Sequence, residues 1–360
     1  MIYQGAFRLP PNTGYAGVGL FYSQARNSLF YANAEVNVIS ECSVPAPLLT
    51  SDVNQLPLAT VLQGPVDCTG GLLYGPNGVQ GPNPQNSVNI GGVMAYGGKL
   101  YIAAYRYYDA NADGQLSHIV KDSLDLSVAD VHGPYPVGGY GAGSIGGYFA
   151  VIPAIWQASL NGAVLNGWTA YTIVTRTSSG PTGFAINPTH IGVDMPYAAA
   201  TPLSYYPVPH GLYDYPTRIG TINTLFNATA QVGGAVVCPA PWRSVLYFGA
   251  LGLGPDCYGI GGPAPTECPD IYDYTKGDHC PPYQTSVWAY DANDLTAAAS
   301  GSVLPWNVLP YAQWTLNFPF PQWGKPNIIG AAFDCVGGRL FLAQIRANSE
   351  QTAIHVYTFG

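Results

Sequence analysis

The feature that most restricts this sequence is a pair of short apolar runs joined by a tight turn, written four times with the same punctuation. It appears as Gly17-Val18-Gly19-Leu20-Phe21-Tyr22 followed by Leu29-Phe30-Tyr31-Ala32, and as Gly91-Gly92-Val93-Met94-Ala95-Tyr96, Gly97-Gly98, Leu100-Tyr101-Ile102-Ala103. It returns as Gly233-Gly234-Ala235-Val236-Val237-Cys238 before Val245-Leu246-Tyr247-Phe248-Gly249, and as Gly330-Ala331-Ala332-Phe333-Asp334-Cys335, Gly337-Gly338, Leu340-Phe341-Leu342-Ala343. A stretched fifth copy starts at Gly146-Gly147-Tyr148-Phe149-Ala150-Val151-Ile152, with its second run expected at Ala170-Tyr171-Thr172-Ile173-Val174. Gly-Gly between two apolar runs is the chemistry of a hairpin with a primed turn.

A third run follows each copy, such as Val287–Asp291 or Phe184–Asn187, and then a more polar fourth: Leu56–Leu62, Pro202–Tyr206 or Ala312–Leu316. Four antiparallel strands, repeated, make the blades of a β-propeller. Innermost strands crowd around the axis and need Gly and Ala, while an outer edge strand tolerates Pro. With 44 Gly and 32 Pro in 360 residues, helical periodicity is interrupted almost everywhere. The expectation is an all-β, single-domain propeller over 1–360, with blades at about 17–90, 91–145, 146–232, 233–329, and 330–360 plus 1–16. Five blades are expected, with six as the alternative, because Thr201–Gln231 and Cys257–Tyr283 are long enough to hold further strands. Unrelated hairpins in a β-sandwich are the competing architecture.

The last copy ends after a third run, Ala353–Tyr357, without a fourth strand. Tyr3–Pro10 at the other end of the chain fits the fourth-strand pattern. An N-terminal strand completing the C-terminal blade would seal the ring and remove two free edges.

Over essentially its whole length the pattern resembles the β-propeller superfamily, and it is similar to a group of uncharacterised propeller proteins of bacteria and their phages. The resemblance implies a fold and not an activity, since propellers host binding, scaffolding and catalysis alike.

Composition narrows the partners. A net charge of −8 with only 12 Lys+Arg leaves no basic footprint for nucleic acid or an anionic membrane. Hydrophobic residues at 48% exclude disorder, and no window reaches a membrane span, the best, Tyr148–Trp156, being broken by Pro153. The start, Met1-Ile2-Tyr3-Gln4, lacks the basic and apolar regions of a signal peptide.

Candidate chemistry is sparse. Asp109-Ala110-Asn111-Ala112-Asp113-Gly114 matches the first half of a calcium loop, so Asp109, Asn111 and Asp113 are the candidate Ca2+ ligands. Position twelve is Val120 rather than a bidentate Glu, so the full calcium loop is absent, and the competing reading is an Asx-rich turn. Gly141–Gly146 has dinucleotide-loop spacing without the required strand and helix, and reads as linker glycine. A glycosidase would need paired channel carboxylates. Asp67, Asp256 and Asp270 lie in loops, and Asp334 alone lies on an innermost strand. The six histidines (His118, His132, His190, His210, His279, His355) show no close metal-ligand spacing and read as structural.

Among seven cysteines, Cys257, Cys268 and Cys280 share one Pro/Gly-rich insertion, and a disulfide is expected there between Cys257 and either Cys268 or Cys280. Cys238 and Cys335 read as buried thiols. Tyrosine, at 27 residues, concentrates in Tyr105, Tyr107, Tyr108 and in Tyr205, Tyr206, Tyr213, Tyr215, a candidate ligand-binding surface unless blade packing consumes it.

Low charge with abundant Gly, Asn, Tyr and Pro suits a protein working outside the cell. The first expectation is a non-enzymatic phage virion protein for decoration or host recognition, its partners other virion proteins or host-surface glycans, and homo-oligomeric if the surface calls for it. The alternatives are a secreted bacterial carbohydrate-binding propeller, and a glycosidase-like hydrolase or lyase using channel carboxylates.

Overall fold

The computed structural model describes residues 1–10, 16–109, 112–169, 180–207, 226, 229–255, 257–322, 324–347 and 351–360. Strand β1 (Ile2–Arg8) comes first. A four-stranded antiparallel sheet follows from β2 (Ala16–Ser23), β3 (Ser28–Asn33), β4 (Val38–Ser43) and β5 (Val61–Val66). The second sheet is β6 (Val88–Tyr96), β7 (Lys99–Arg106), β8 (His118–Lys121) and β9 (Val131–Tyr135). The third is β10 (Phe149–Val151), β11 (Val164–Gly167), β12 (Gly183–Ile186) and β13 (Ala200–Ser204). The fourth begins with β14 (Gln231–Val237) and β15 (Ser244–Gly252). It is interrupted by a three-stranded insertion, β16 (Cys257–Gly262), β17 (Cys268–Pro269) and β18 (Lys276–His279), and finishes with β19 (Tyr283–Asp291) and β20 (Ala312–Thr315). The chain ends with β21 (Ile328–Asp334), β22 (Arg339–Gln344) and β23 (Ala353–Thr358), and β1 supplies the fourth strand of that sheet.

The innermost strands β2, β6, β10, β14 and β21 touch one another in sequence and close on themselves, a propeller ring. Glycine sets how closely they approach. A Cβ on Gly92 would overlap the carbonyl of Gly147, one on Gly233 the carbonyl of Ile328, and one on Gly330 the carbonyl of Gly17. A bulge interrupts the register beside these glycines, between Ile90 and Gly92, Val232 and Gly234, and Ile328 and Gly330.

The ring is sealed by pairing of the chain ends. Gly5 lies opposite Val356, Ala6 opposite His355 and Phe7 opposite Ile354. The Tyr3 hydroxyl lies 3.1 Å from His355 Nδ1. Phe7, fully buried, packs with Leu20, Tyr31, Phe341 and Ile354, a core between the first and last sheets. A larger core between the third and fourth sheets holds Tyr148, Leu165, Tyr206, Phe226, Tyr247 and Trp288.

Several sequence expectations are corrected. The partner of β10 is β11, at Val164–Gly167, not 170–174, which lies outside the described residues. In the first sheet the fourth strand begins at Val61. Pro57 and Ala59 instead bond the backbone of Arg8, where the missing N–H of Pro57 costs nothing because only its carbonyl is used. Gly141–Gly146 is no linker: it holds the short helix α1 (Ala142–Ile145), whose residues are all buried, and a Cβ on Gly146 would meet the carbonyls of Ala142 and Ala104.

Two more helices, α2 (Ala154–Leu160) and α3 (Ala292–Ala299), pack against each other. Helix α3 is alanine-rich and capped by the Asp291 side chain, which accepts the Asn293 N–H. Among the described residues no helix is long and apolar enough to cross a membrane.

Two consequences can be measured. Phe7→Ala should cost about 3–5 kcal/mol in denaturant unfolding, against a change within about 0.5 kcal/mol for the exposed Val36→Ala. A Phe7→Ala midpoint equal to that of wild type would show that β1 does not hold the ring. The second concerns pH. Burial lowers the pKa of His118 to about 4 and of His355 to about 3, against roughly 6.5 in an unfolded chain. Below pH ~6.5 the unfolded chain binds protons that the fold refuses. Stability is therefore complete above that pH and should fall by on the order of 2–3 kcal/mol per histidine as pH approaches 4. Denaturant midpoints between pH 7 and 4 should slope less in His355→Gln.

Candidate functional site

At the end of the ring where the innermost strands begin, the axis opens into a cavity of about 510 Å3. Asn89 near the start of β6, Gln231 at the start of β14 and Asn327 just before β21 all line it, so three of the five innermost strands bring a side-chain amide to one mouth. The same step recurs in sequence: each amide stands three residues ahead of a ring glycine, Gly92, Gly234 or Gly330. The strands that turn back at this mouth add Tyr105, Tyr107 and Arg346, and Thr169 follows β11. The insertion in the fourth sheet leans over the opening with Tyr272, Asp273, Tyr274 and Thr275, and Lys325 stands beside it.

Local bonding orients these groups. Gln231 Nε2 donates to the Thr169 carbonyl (3.4 Å), and Thr169 Oγ1 donates to the Gly91 carbonyl (3.3 Å). Tyr105 is buried edge-to-face on Trp168, with ring centroids 4.6 Å apart, and burial raises its pKa so that it remains a protonated donor. Asn327 is 8% exposed, and its Oδ1 has no hydrogen-bond partner among the described residues. A buried acceptor without a donor is costly, and the cavity is where a donor can reach it.

The overhanging loop is held by an internal network. Asp270 Oδ2 lies 2.9 Å from His279 Nδ1 and accepts the Tyr283 hydroxyl at 2.7 Å, while the Tyr272 N–H donates to Oδ1. His279 Nε2 lies 2.9 Å from the Thr275 carbonyl. Thr275 in turn donates its N–H (2.9 Å) and its hydroxyl (2.6 Å) to Asp273 Oδ1, and neither bond uses Oδ2. Lys325 Nζ sits 4.4 Å from the Tyr283 ring centroid, a cation–π contact that joins the start of β19 to the segment before β21. The Cys257–Cys268 disulfide staples β16 to β17, and Cys280 is buried, its Sγ donating to the Gly254 carbonyl.

The sequence candidates divide. Tyr105 and Tyr107 belong to this mouth, but Tyr108 lines a separate shallow cleft with Arg106, Asp109 and Asp113. Tyr206 is buried against Phe226, and the half-buried Tyr205 packs on Phe184 and Tyr140. Tyr213, Tyr215, Asn111 and Asp256 lie outside the described residues. Asp109 accepts the N–H groups of Asp113 and Gly114, and Asp113 pairs with Arg106. Among the described residues no group of three His, Cys, Asp or Glu could hold a metal ion.

The loop carboxylates Asp67 and Asp270 do not converge. Asp67 caps its own turn at Thr69, Asp270 is occupied by His279, and Asp334 turns toward Arg339 at the opposite end of its strand. Asn89, Thr169, Gln231, Asp273, Lys325, Asn327 and Arg346 were missed. The recurring amide ahead of the ring glycine was the signal that could have found three of them.

No protein-family profile and no curated protein matches the chain. Solved structures similar to it over nearly all of both chains include a study of the GH130 mannoside phosphorylase family and its glycoside hydrolases that target β-1,2-mannosidic linkages in Candida mannan (10% identity, 99% of this chain and 94% of that one, TM-score 0.43). They also include a glycosyl hydrolase from Bacteroides ovatus (12%, 99% and 94%, TM-score 0.41) and a luciferin-regenerating enzyme (8%, 100% and 96%, TM-score 0.38). The likeness is one of fold. The expectation of a non-enzymatic virion protein finds no counterpart among these neighbours and is corrected on that ground; their likeness carries no activity to this chain.

The clamp on the overhanging loop makes a prediction. Burial alone would raise the Asp270 pKa, but the bonds from His279, Tyr283 and the Tyr272 N–H outweigh it and hold the carboxylate ionised below its usual range. Its contribution is therefore present above the unfolded value of about 3.9 and lost as pH falls below it. Asp270→Asn at neutral pH should speed amide exchange across 257–283 about tenfold or more while the ring strands keep their protection. Unchanged exchange there would show that the network does not hold the loop.

Proposed function

We propose that this chain is a glycoside-processing protein that recognises a saccharide in the axial cavity and acts on a glycosidic bond there, with Asp273 handling the proton. The observation that carries the reading is the buried, unpartnered Asn327 Oδ1 in a cavity lined by further amides and tyrosines. A sugar ring presents hydroxyls that donate and accept, together with apolar C–H faces. Asn327 accepts from a hydroxyl, Asn89 and Gln231 offer amides of both polarities, and the tyrosine rings take the C–H faces.

Asp273 is the one carboxylate among the described lining residues, and both its internal bonds fall on Oδ1. A two-carboxylate hydrolase sets its second acid about 5–9.5 Å away. With a single carboxylate in the described lining, the role assigned to Asp273 is proton donation to the leaving oxygen as the glycosidic C–O bond breaks, while water adds to the glycosyl carbon and its released proton restores the acid. The Cys257–Cys268 bridge supports an oxidising, extracytoplasmic setting as part of the same proposal.

Calorimetry against an oligosaccharide panel and turnover of aryl glycosides test the reading. Asn327→Ala should weaken saccharide binding about tenfold. Asp273→Asn should leave binding within about twofold and lower turnover on the order of 100-fold. Binding without turnover of any glycoside reduces the reading to carbohydrate recognition alone, and no binding by any saccharide removes it.

A further inference from the structure

The other end of the ring holds a second cavity of about 600 Å3, built where the innermost strands finish and turn. All five strands reach it: Phe21 from β2, Ala95 from β6, Phe149 from β10, Ala235 from β14 and Phe333 from β21 are among its walls. No Asp, Glu, Lys, Arg or His lines it among the described residues. The nearby carboxylate Asp334 is buried and turned into its own hairpin, where it binds Arg339. The Tyr22 hydroxyl is also committed, donating to Asn27 Oδ1 at 2.8 Å.

We propose that this mouth is a binding site for an uncharged, apolar small molecule of aromatic or alicyclic shape. The volume falls within the range of about 300–1,000 Å3 typical of small-molecule sites. Phenylalanines stand on three of the five walls and alanines on the other two, an aromatic and methyl lining that suits a ring-shaped apolar ligand. The chemistry of the wall selects the ligand. A fatty acid or other anionic amphiphile would find no cation for its head group, and an amine would find no carboxylate. A saccharide would lose its water for only a few exchangeable partners, chiefly Ser23 and Gln24. The site is separate from the polar mouth and does not depend on the saccharide reading.

The wall carries its own reporter. Cys335, expected from the sequence to be buried like Cys238, instead lines the cavity as an exposed, unbridged thiol close to Phe333. Titration with the neutral fluorophore N-phenyl-1-naphthylamine should saturate at one equivalent, and the bound probe should slow alkylation of Cys335 by N-ethylmaleimide at least fivefold. The anionic analogue 1-anilinonaphthalene-8-sulfonate should bind at least tenfold more weakly. Val151→Glu places a charge on the wall at a side chain already 43% exposed, so the fold tolerates it, and it should reduce affinity for the neutral probe at least tenfold. Ala154→Trp, at a second exposed lining position, should do the same by filling the mouth. The proposal is overturned if the neutral probe does not bind, if it binds at many sites, if both probes bind alike, or if it binds at one site that neither variant weakens and leaves Cys335 unprotected.

Discussion

The close approach of backbone to backbone around the axis is the constraint on which the other features depend. Three innermost strands, β6, β14 and β21, bring glycine against a neighbour at positions where even a methyl group would overlap a carbonyl oxygen, at Gly92, Gly233 and Gly330. Contact at that distance fixes the pitch of the sheets. It also presses their faces into the buried clusters of Phe, Tyr, Trp and aliphatic residues that lie between consecutive blades. The pairing of β1 with β23 then gives the last sheet its outermost strand from the other end of the chain and makes the ring continuous. Close inner contact and closure support each other: the glycines would have nothing to press against if the circle could open.

From this constraint follows a division of the axis into two unlike ends. Every innermost strand runs from one mouth to the other, so a polar residue at its start and an apolar residue at its finish are enough to give the axis a direction. Asn89, Gln231 and Asn327 stand at the starts, and Ala95, Val237 and Phe333 at the finishes. The insertion between β15 and β19 adds to the polar end alone, bringing the carboxylate of Asp273 and two tyrosines over it. Nothing comparable covers the apolar end among the described residues.

The ring was legible in the sequence because its causes are local. A tight turn needs Gly-Gly, a crowded axis needs Gly and Ala, and an unfinished last blade beside a spare first strand announces closure. The third sheet was less legible. The segment between β10 and β11 holds helix α2 in place of a hairpin, and the apolar run Ala170–Val174 drew attention from the true partner at Val164–Gly167. The site was harder still. Asp273 gains its place only because Asp270, buried with His279 and Tyr283, folds the insertion back over the axis, and burial of that kind has no local signature. The tyrosine clusters show the same limit: Tyr105 and Tyr206 are alike as residues, and only the packing decides that one meets the cavity and the other a core.

The overhanging insertion is joined to the ring through the ends of β15 and β19, and it keeps its own shape with a disulfide and the buried Asp270–His279 hydrogen bond. Its stability is thus largely private. Such a cassette can be exchanged, lengthened or rewritten without disturbing the circle that carries it, and a lineage using this scaffold can change what its polar mouth accepts by altering about thirty contiguous residues while the load-carrying wheel stays the same.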